Sequence, residues 1–306
     1  MLKANATIAV VAPAGVSRRE ALERGTALLR EWGYTVIEGH HVRDHHFYHA
    51  GTVDARTADL VWALSDPAID AVWLARGGYG CVHCLPALGQ KQFDDRPVVG
   101  CSDATALFCA LSRRGRTRLI HGPVLETLAT GVDDASRLRM RGLLSGAPLN
   151  PIRGQHLCGP RVSVSGPLVG GNLCVLASLA GTPWALRPEG AILVLEDVSE
   201  AAYRIDRTIT QLRWSGAFDG VAGIALGDFV SCHLPAGADF SLDDMLSEAL
   251  EPLAVPVVKG FPIGHSPCNL AWRYGDIARL GDETLEFGDA PATETARPTA
   301  NSNGLL

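Results

Sequence analysis

Hydrophobic positions in the first 145 residues alternate between two patterns. "TIAVVAPAG", "YTVIEG", "DAVWLARGGYG", "RPVVGCS" and "TRLIHGP" are runs rich in Val, Ile and Leu that close on Gly, Pro or Ser, which predicts strands. Between them "SRREALERGTALLREWG", "ARTADLVWALSD" and "ATALFCALSRRG" space their apolar residues along one helical face. The first helix is expected to begin on a capping box of Ser17 and Glu20 and to stop at Gly33. Pro67 closes the second helix, and Gly115 the third. Strands separated by single helices predict a parallel sheet covered on both faces, an α/β fold. Ligands of such sheets bind beyond the carboxyl ends of the strands, where "RGGYG" (76–80) and "GCSD" (100–103) both fall.

The pattern then lapses. "GAPLNPIRGQHLCGPR" is rich in Pro and Gly, which predicts a linker at 148–161 between a first domain, 1–147, and a second, 162–288. In the second domain a Gly-Gly turn leads into "NLCVLASLAG". A strand "GAILVLEDV", a helix "AAYRIDRTITQLRWSG", a strand "GVAGIALGDF" and a helix "SLDDMLSEAL" follow, then short strands "VPVVKG", "GDIARL" and "ETLEFG". That half is mixed α/β and richer in strands. The tail, 289–306, has little to bury and is expected to be disordered.

Composition narrows the function. With 306 residues, 47% of them hydrophobic, the chain has material for a large core. A net charge of −6 argues against a nucleic-acid or anionic-membrane partner. No apolar run reaches membrane-span length, and "MLKANATIAVVAPAG" reads as a first strand rather than a signal peptide, so a cytoplasmic location is expected. The eight scattered cysteines fit a reducing compartment. "CVHC" (81–84) has no second pair at zinc-site spacing and reads as packing on a helix face. Five of the ten histidines lie in "HHVRDHHFYH" (40–49), a surface loop without the histidine and carboxylate spacing of a metal site, so no metal or other cofactor is expected.

Ser102 ends a strand and opens a helix. A serine there is most often a helix N-cap, but the same corner can expose a nucleophile with helix-end amides beside it for an oxyanion. "GCSDA" approximates the hydrolase elbow G-x-S-x-G, with Ala104 in place of the second glycine. "RGGYG" offers backbone amides to an anion but lacks the glycine spacing of a dinucleotide site. Glu196 and Asp197 are successive strand residues on opposite faces, so one is expected at a cleft and the other as a solvated or helix-capping acid. His265 stands in the loop "GFPIGHSPCN". Ser102, Glu196 and His265 together supply a nucleophile, an orienting carboxylate and a base.

These segments resemble the LD-carboxypeptidase family of serine peptidases, the muramoyl-tetrapeptide carboxypeptidases. The likeness is carried by "VVAPAG", "HAGTVDARTADLVWALSDPAIDAVWLARGGYG", "VVGCSDATAL", "IHGPV", "GGNL", "LEDVSEAAYRIDRTITQLRWSGAFD" and "PIGHSPCN", in the family's order, from about residue 8 to about 280. It implies a flavodoxin-like parallel-sheet N-terminal domain, a smaller swivelling β/α C-terminal domain, a homodimer, and a site in the interdomain cleft. The family's nucleophile, glutamate and histidine fall on Ser102, Glu196 and His265. Its oxyanion amides fall near Gly78 and on Asp103, with Arg76 and Tyr79 of the same loop expected at the substrate. Cys101 replaces a usual aromatic and Ala104 a common isoleucine. The implied reaction cuts murein tetrapeptides between the L-centre of meso-diaminopimelate and the terminal D-alanine, in peptidoglycan recycling. A related branch, the self-immunity peptidases that cleave peptidyl-nucleotide antibiotics such as microcin C, needs an aromatic platform for adenine. Trp184 and Trp214 are the candidates, against an ordinary packing role for each. A reading from another class is a non-catalytic protein that binds an anion or sugar-peptide at "RGGYG" and Arg76, with Ser102 only a cap.

Overall fold

β1 (Thr7–Val11), β2 (Thr35–Glu38), β3 (Ala71–Leu74), β4 (Val98–Gly100) and β5 (Leu119–His121) form the parallel sheet that the alternating pattern predicts. The computed structural model describes residues 1–88, 93, 95–113 and 118–288. α1 (Arg19–Glu31), α2 (Val53–Ser65), α3 (Cys81–Leu88) and α4 (Ala104–Ser112) connect the strands, and α5 (Leu125–Leu128) and α6 (Asp134–Ser145) follow. β1, β3 and β4 are almost wholly buried because apolar side chains pack on both faces of the sheet. α1 ends as expected, with Gly33 at φ +91° and its N–H bonded to the Arg30 carbonyl. Its start differs. Arg18 takes the N-cap position with no side-chain cap, because its backbone N–H and Nε are both drawn to Glu126, and Ser17 Oγ has no partner. α2 starts two residues earlier than the pattern suggests, where Thr52 Oγ1 accepts the Ala55 N–H.

The stretch expected to be a linker is partly strand. β6 (Ile152–Arg153) and β7 (Gln155–Cys158) pair antiparallel with β14 (Thr284–Phe287) and β11 (Val257–Lys259) at opposite edges of a second sheet. Strands this short lack the alternation that makes a strand legible. The remaining elements of this half are β8 (Val164–Asn172), α7 (Leu173–Ser178), β9 (Ile192–Val198), α8 (Ala202–Trp214), β10 (Gly223–Val230), α9 (Leu242–Leu250), β12 (Trp272–Tyr274) and β13 (Ile277–Leu280). The second sheet runs β6-β14-β13-β8-β9-β10-β11-β7, with a parallel centre from β8 to β11. Gly170 and Gly171 are not a turn but the end of β8. They are glycines because a Cβ would strike the Val194 carbonyl at 2.1 Å and Thr105 Oγ1 at 2.5 Å.

The last of those contacts joins the two halves. Asn172 N–H, at the end of β8, donates to Thr105 Oγ1 on α4 at 3.0 Å. β12 pairs antiparallel with β5 of the first half, extending the first sheet to β12-β5-β4-β3-β1-β2. One continuous core therefore contains Leu107 and Phe108 of α4, Leu173 and Leu176 of α7, and Trp272. The tail expected to be disordered, and Gly115, lie outside the described residues.

Candidate active site

β4 delivers Ser102. The chain turns sharply after Gly100, where a Cβ would stand 2.8 Å from Ala104 Cβ, and Ser102 takes φ +62°, a left-handed conformation uncommon outside glycine. α4 begins with Asp103 at its N-cap and no side-chain cap bond. The Ser102 hydroxyl bonds to no described residue, so a capping role has no support in the structure. The Asp103 carboxylate, nearly fully buried, turns away and accepts the Cys81 N–H at 2.7 Å. Burial raises its pKa, and that hydrogen bond holds the start of α3 against the Ser102 turn.

"RGGYG" runs between β3 and α3. Gly78 has φ +101°, and neither its N–H nor that of Asp103 has an acceptor among the described residues. Gly77 lies so close to the serine that a Cβ there would meet Ser102 Cβ at 2.8 Å and Oγ at 3.0 Å. Two unclaimed amides thus flank one hydroxyl. Beneath the loop, the buried Arg56 donates to the carbonyls of Gly51, Pro13 and Gly80, tying three loops together.

From the other half, Glu196 on β9 is fully buried and its Oε2 lies 2.6 Å from His265 Nδ1. Gly227 and Gly264 make room for it, since a Cβ on either would come within 3.2 Å of a Glu196 atom. Burial lowers the imidazole pKa of His265. The Glu196 hydrogen bond and the charges of Glu196, Asp197 and Asp228 outweigh burial and leave it above the ordinary value of 6.5. Asp197 points to the opposite face as strand geometry requires, where it accepts from Asn172 Nδ2 and the Cys174 N–H at the start of α7. It is the helix-capping acid of the pair.

Ser102, Gly77, Gly78 and Arg76 share the wall of an open cavity of about 400 Å³ with His265, Gly264, Ser266 and Asn269. No direct hydrogen bond joins Ser102 to His265. The imidazole Nε2 has no hydrogen-bond partner among the described residues, as suits a base awaiting a proton. Tyr79 is not in the cavity wall. Its hydroxyl lies 3.2 Å from His83 Nε2, and its ring packs against Tyr48, His49 and His83 on the neighbouring surface.

Comparison with known proteins gives the family. Residues 8–122 match the LD-carboxypeptidase N-terminal domain and residues 165–280 the LD-carboxypeptidase C-terminal domain. A putative carboxypeptidase of Synechocystis is 41% identical over 291 residues, covering 92% of this chain and 93% of its own. The chain belongs to the LD-carboxypeptidase family. A murein tetrapeptide carboxypeptidase of Pseudomonas aeruginosa is 38% identical over 292 residues, covering 92% of this chain and 94% of its own. The crystal structure of muramoyltetrapeptide carboxypeptidase from Oxalobacter formigenes superposes with a TM-score of 0.81 at 28% identity, over 93% of this chain and 99% of that one. This LD-carboxypeptidase family member is therefore a carboxypeptidase, with the family's two-part α/β architecture.

Other candidates in this chain lie elsewhere. Trp214 is 85% exposed at the end of α8, Trp184 packs against the core, and neither lines the cavity. Among the described residues no group of three or more His, Cys, Asp or Glu is placed to hold a metal, and in the histidine loop His41 pairs with Asp44. Cys81 and Cys84 are buried free thiols on α3 whose pKa burial raises. Residue-type patterns missed Glu126, which pairs with Arg18 and Arg76, and Asp228, which accepts from Ser266 Oγ at 2.5 Å. They missed His121 as well, fully buried against Trp272 and kept neutral by burial, which pulls its pKa to about 4. A lone acid or histidine carries no local signal. Only the segment "IHGPV" hinted at the last.

Proposed function

We propose that the chain is a serine-type L,D-carboxypeptidase that removes the terminal D-alanine of murein tetrapeptides, at the bond following the L-centre of meso-diaminopimelate. The observation that carries this reading is the buried 2.6 Å contact of His265 Nδ1 with Glu196, whose imidazole shares a cavity with an unbonded Ser102. The names of the Pseudomonas relative and of a probable murein peptide carboxypeptidase from Bacillus subtilis, 31% identical over 282 residues, support the substrate class.

In this mechanism Ser102 Oγ attacks the carbonyl of the scissile bond as neutral His265 takes its proton. Glu196 fixes the imidazole tautomer and stabilises the imidazolium. The N–H groups of Gly78 and Asp103 receive the oxyanion. His265 returns its proton to the departing D-alanine amine, then activates the water that releases the acyl-enzyme. The residues supplying the nucleophile and base come from the two halves, so neither half alone is active. The test is incubation with murein tetrapeptide and enzymatic detection of free D-alanine. One D-alanine per tripeptide formed is expected, and an unchanged tetrapeptide rejects the reading.

Two expected results arise here. Gly77→Ala pushes a methyl into Ser102 at a backbone position that tolerates alanine. Turnover should fall roughly 100-fold, the scale of a 1 Å misplacement, while the thermal midpoint moves by only a few degrees. The pair kcat/KM and Tm checks it. Second, His265 must be neutral to act, and its raised pKa means that protonation persists to higher pH than for a free imidazole. Activity should therefore rise with pH through a midpoint above 6.5, and a pH profile of kcat/KM with that midpoint at or below 6.5 contradicts the assignment.

A further inference from the structure

We infer that Arg76 clamps the free α-carboxylate of the substrate's last residue, and that Glu126 positions its guanidinium for this. The inference rests on the carboxypeptidase reading above and names the group that makes the site an exopeptidase site. A carboxypeptidase acts one residue from a free carboxylate, and a guanidinium close to its nucleophile is the strongest donor for that group. Arg76 is the one lysine or arginine in the cavity wall among the described residues. It immediately precedes Gly77, which packs against the Ser102 side chain.

The guanidinium is held from two sides. Nη1 donates to the Val16 carbonyl at 2.7 Å, and Nε lies 3.8 Å from Glu126 Oε2. Nη2 has no partner among the described residues. Glu126 is itself fixed: it is 5% exposed, its backbone N–H bonds to the Ala75 carbonyl just before Arg76, and Arg18 Nε pairs with its other oxygen at 2.7 Å. Two guanidinium groups thus share one carboxylate. Glu126 lines the cavity too, and because Arg18 draws on the same carboxylate, Arg76 keeps a planar N–H edge available to an anion. The apolar side chains of Val124 and Val132 line the same cavity and suit a small side chain such as a methyl.

The experiment compares kcat/KM for murein tetrapeptide with that for the same peptide ending in a carboxamide, using the wild type, Arg76→Ala, Arg76→Lys and Glu126→Gln. Wild type should favour the acid by roughly 10- to 100-fold, the worth of a charge-assisted contact. Arg76→Ala should bring the acid down to the amide's level through KM and leave the amide almost unchanged, and Arg76→Lys should restore part of the preference. Glu126→Gln should raise KM for the acid only. Labelling of Ser102 by a fluorophosphonate at an unchanged rate shows that the alanine variant keeps its site. Equal use of acid and amide by wild type, or equal losses on both in Arg76→Ala, overturns the clamp while the peptidase reading stands. A wild type that releases no D-alanine from the acid contradicts the peptidase reading and removes the clamp with it.

Discussion

Ser102→Ala should lose about 10⁴- to 10⁶-fold in kcat and keep its fold. The two halves of that expectation come from separate observations. The hydroxyl makes no hydrogen bond within the described residues and does not cap α4, so removing it deletes no stabilising contact. Alanine has no advantage over serine at φ +62°, and the strain of the turn is carried over unchanged. Unfolding free energy should therefore stay within about 1 kcal/mol of wild type, as for most substitutions away from packed or bonded groups. The rate loss follows because the neighbouring groups are poor substitutes: the Ser266 hydroxyl in the same cavity wall is engaged with Asp228. Cys101, the nearest thiol in sequence, is held un-ionised by burial, with a pKa pushed up to about 12. Steady-state kinetics with a urea titration separates the two effects. Near-wild-type turnover would return Ser102 to a structural role.

Glu196→Gln is expected to have the second largest effect, a loss of about 10³- to 10⁴-fold in kcat, by analogy with orienting carboxylates in hydrolytic triads. Glu196 is fully buried and its Oε2 accepts from His265 Nδ1, while Oε1 has no partner among the described residues. The neutral amide keeps the volume but loses the charge that stabilises imidazolium, and its NH₂ group finds no acceptor at the Oε1 position. Loss of that charge also removes the main cause that raises the His265 pKa, so the acid limb of the pH profile should move down. A variant that loses rate without moving the limb would mean that Glu196 acts only as packing.

The parallel sheet was legible in the chain because its strands and helices are long enough to show their periods, and because turns such as Gly33 and Pro67 punctuate them. The candidate site was legible where its residues sit on strand ends: Ser102 after β4, "RGGYG" after β3, Glu196 late in β9. What escaped detection depends on partners distant in sequence. β6 and β7 are strands only because β14 and β11 supply the other edge. β12 joins the first sheet from the far end of the chain. Gly170 and Gly171 look like a turn until Val194 and Thr105 press against them. The capping box at Ser17 is absent because the helix starts one residue later, on Arg18, whose N–H and Nε both go to Glu126, more than 100 residues away. Tyr79 belongs to a loop that reaches the site, yet its side chain goes to the His83 surface. Loop membership fixes a backbone position and leaves side-chain direction open.

In the proposed mechanism one hydroxyl, Ser102, is activated by a His265–Glu196 pair belonging to the other half of the chain. A fluorophosphonate reacts preferentially with an activated serine, and peptide mapping by mass spectrometry locates the adduct without reference to any substrate. A single stoichiometric adduct on Ser102 is expected in the wild type, and almost none in His265→Ala, whose Ser102 turn is untouched. An adduct on another serine, no adduct at all, or equal labelling of Ser102 in His265→Ala would contradict it.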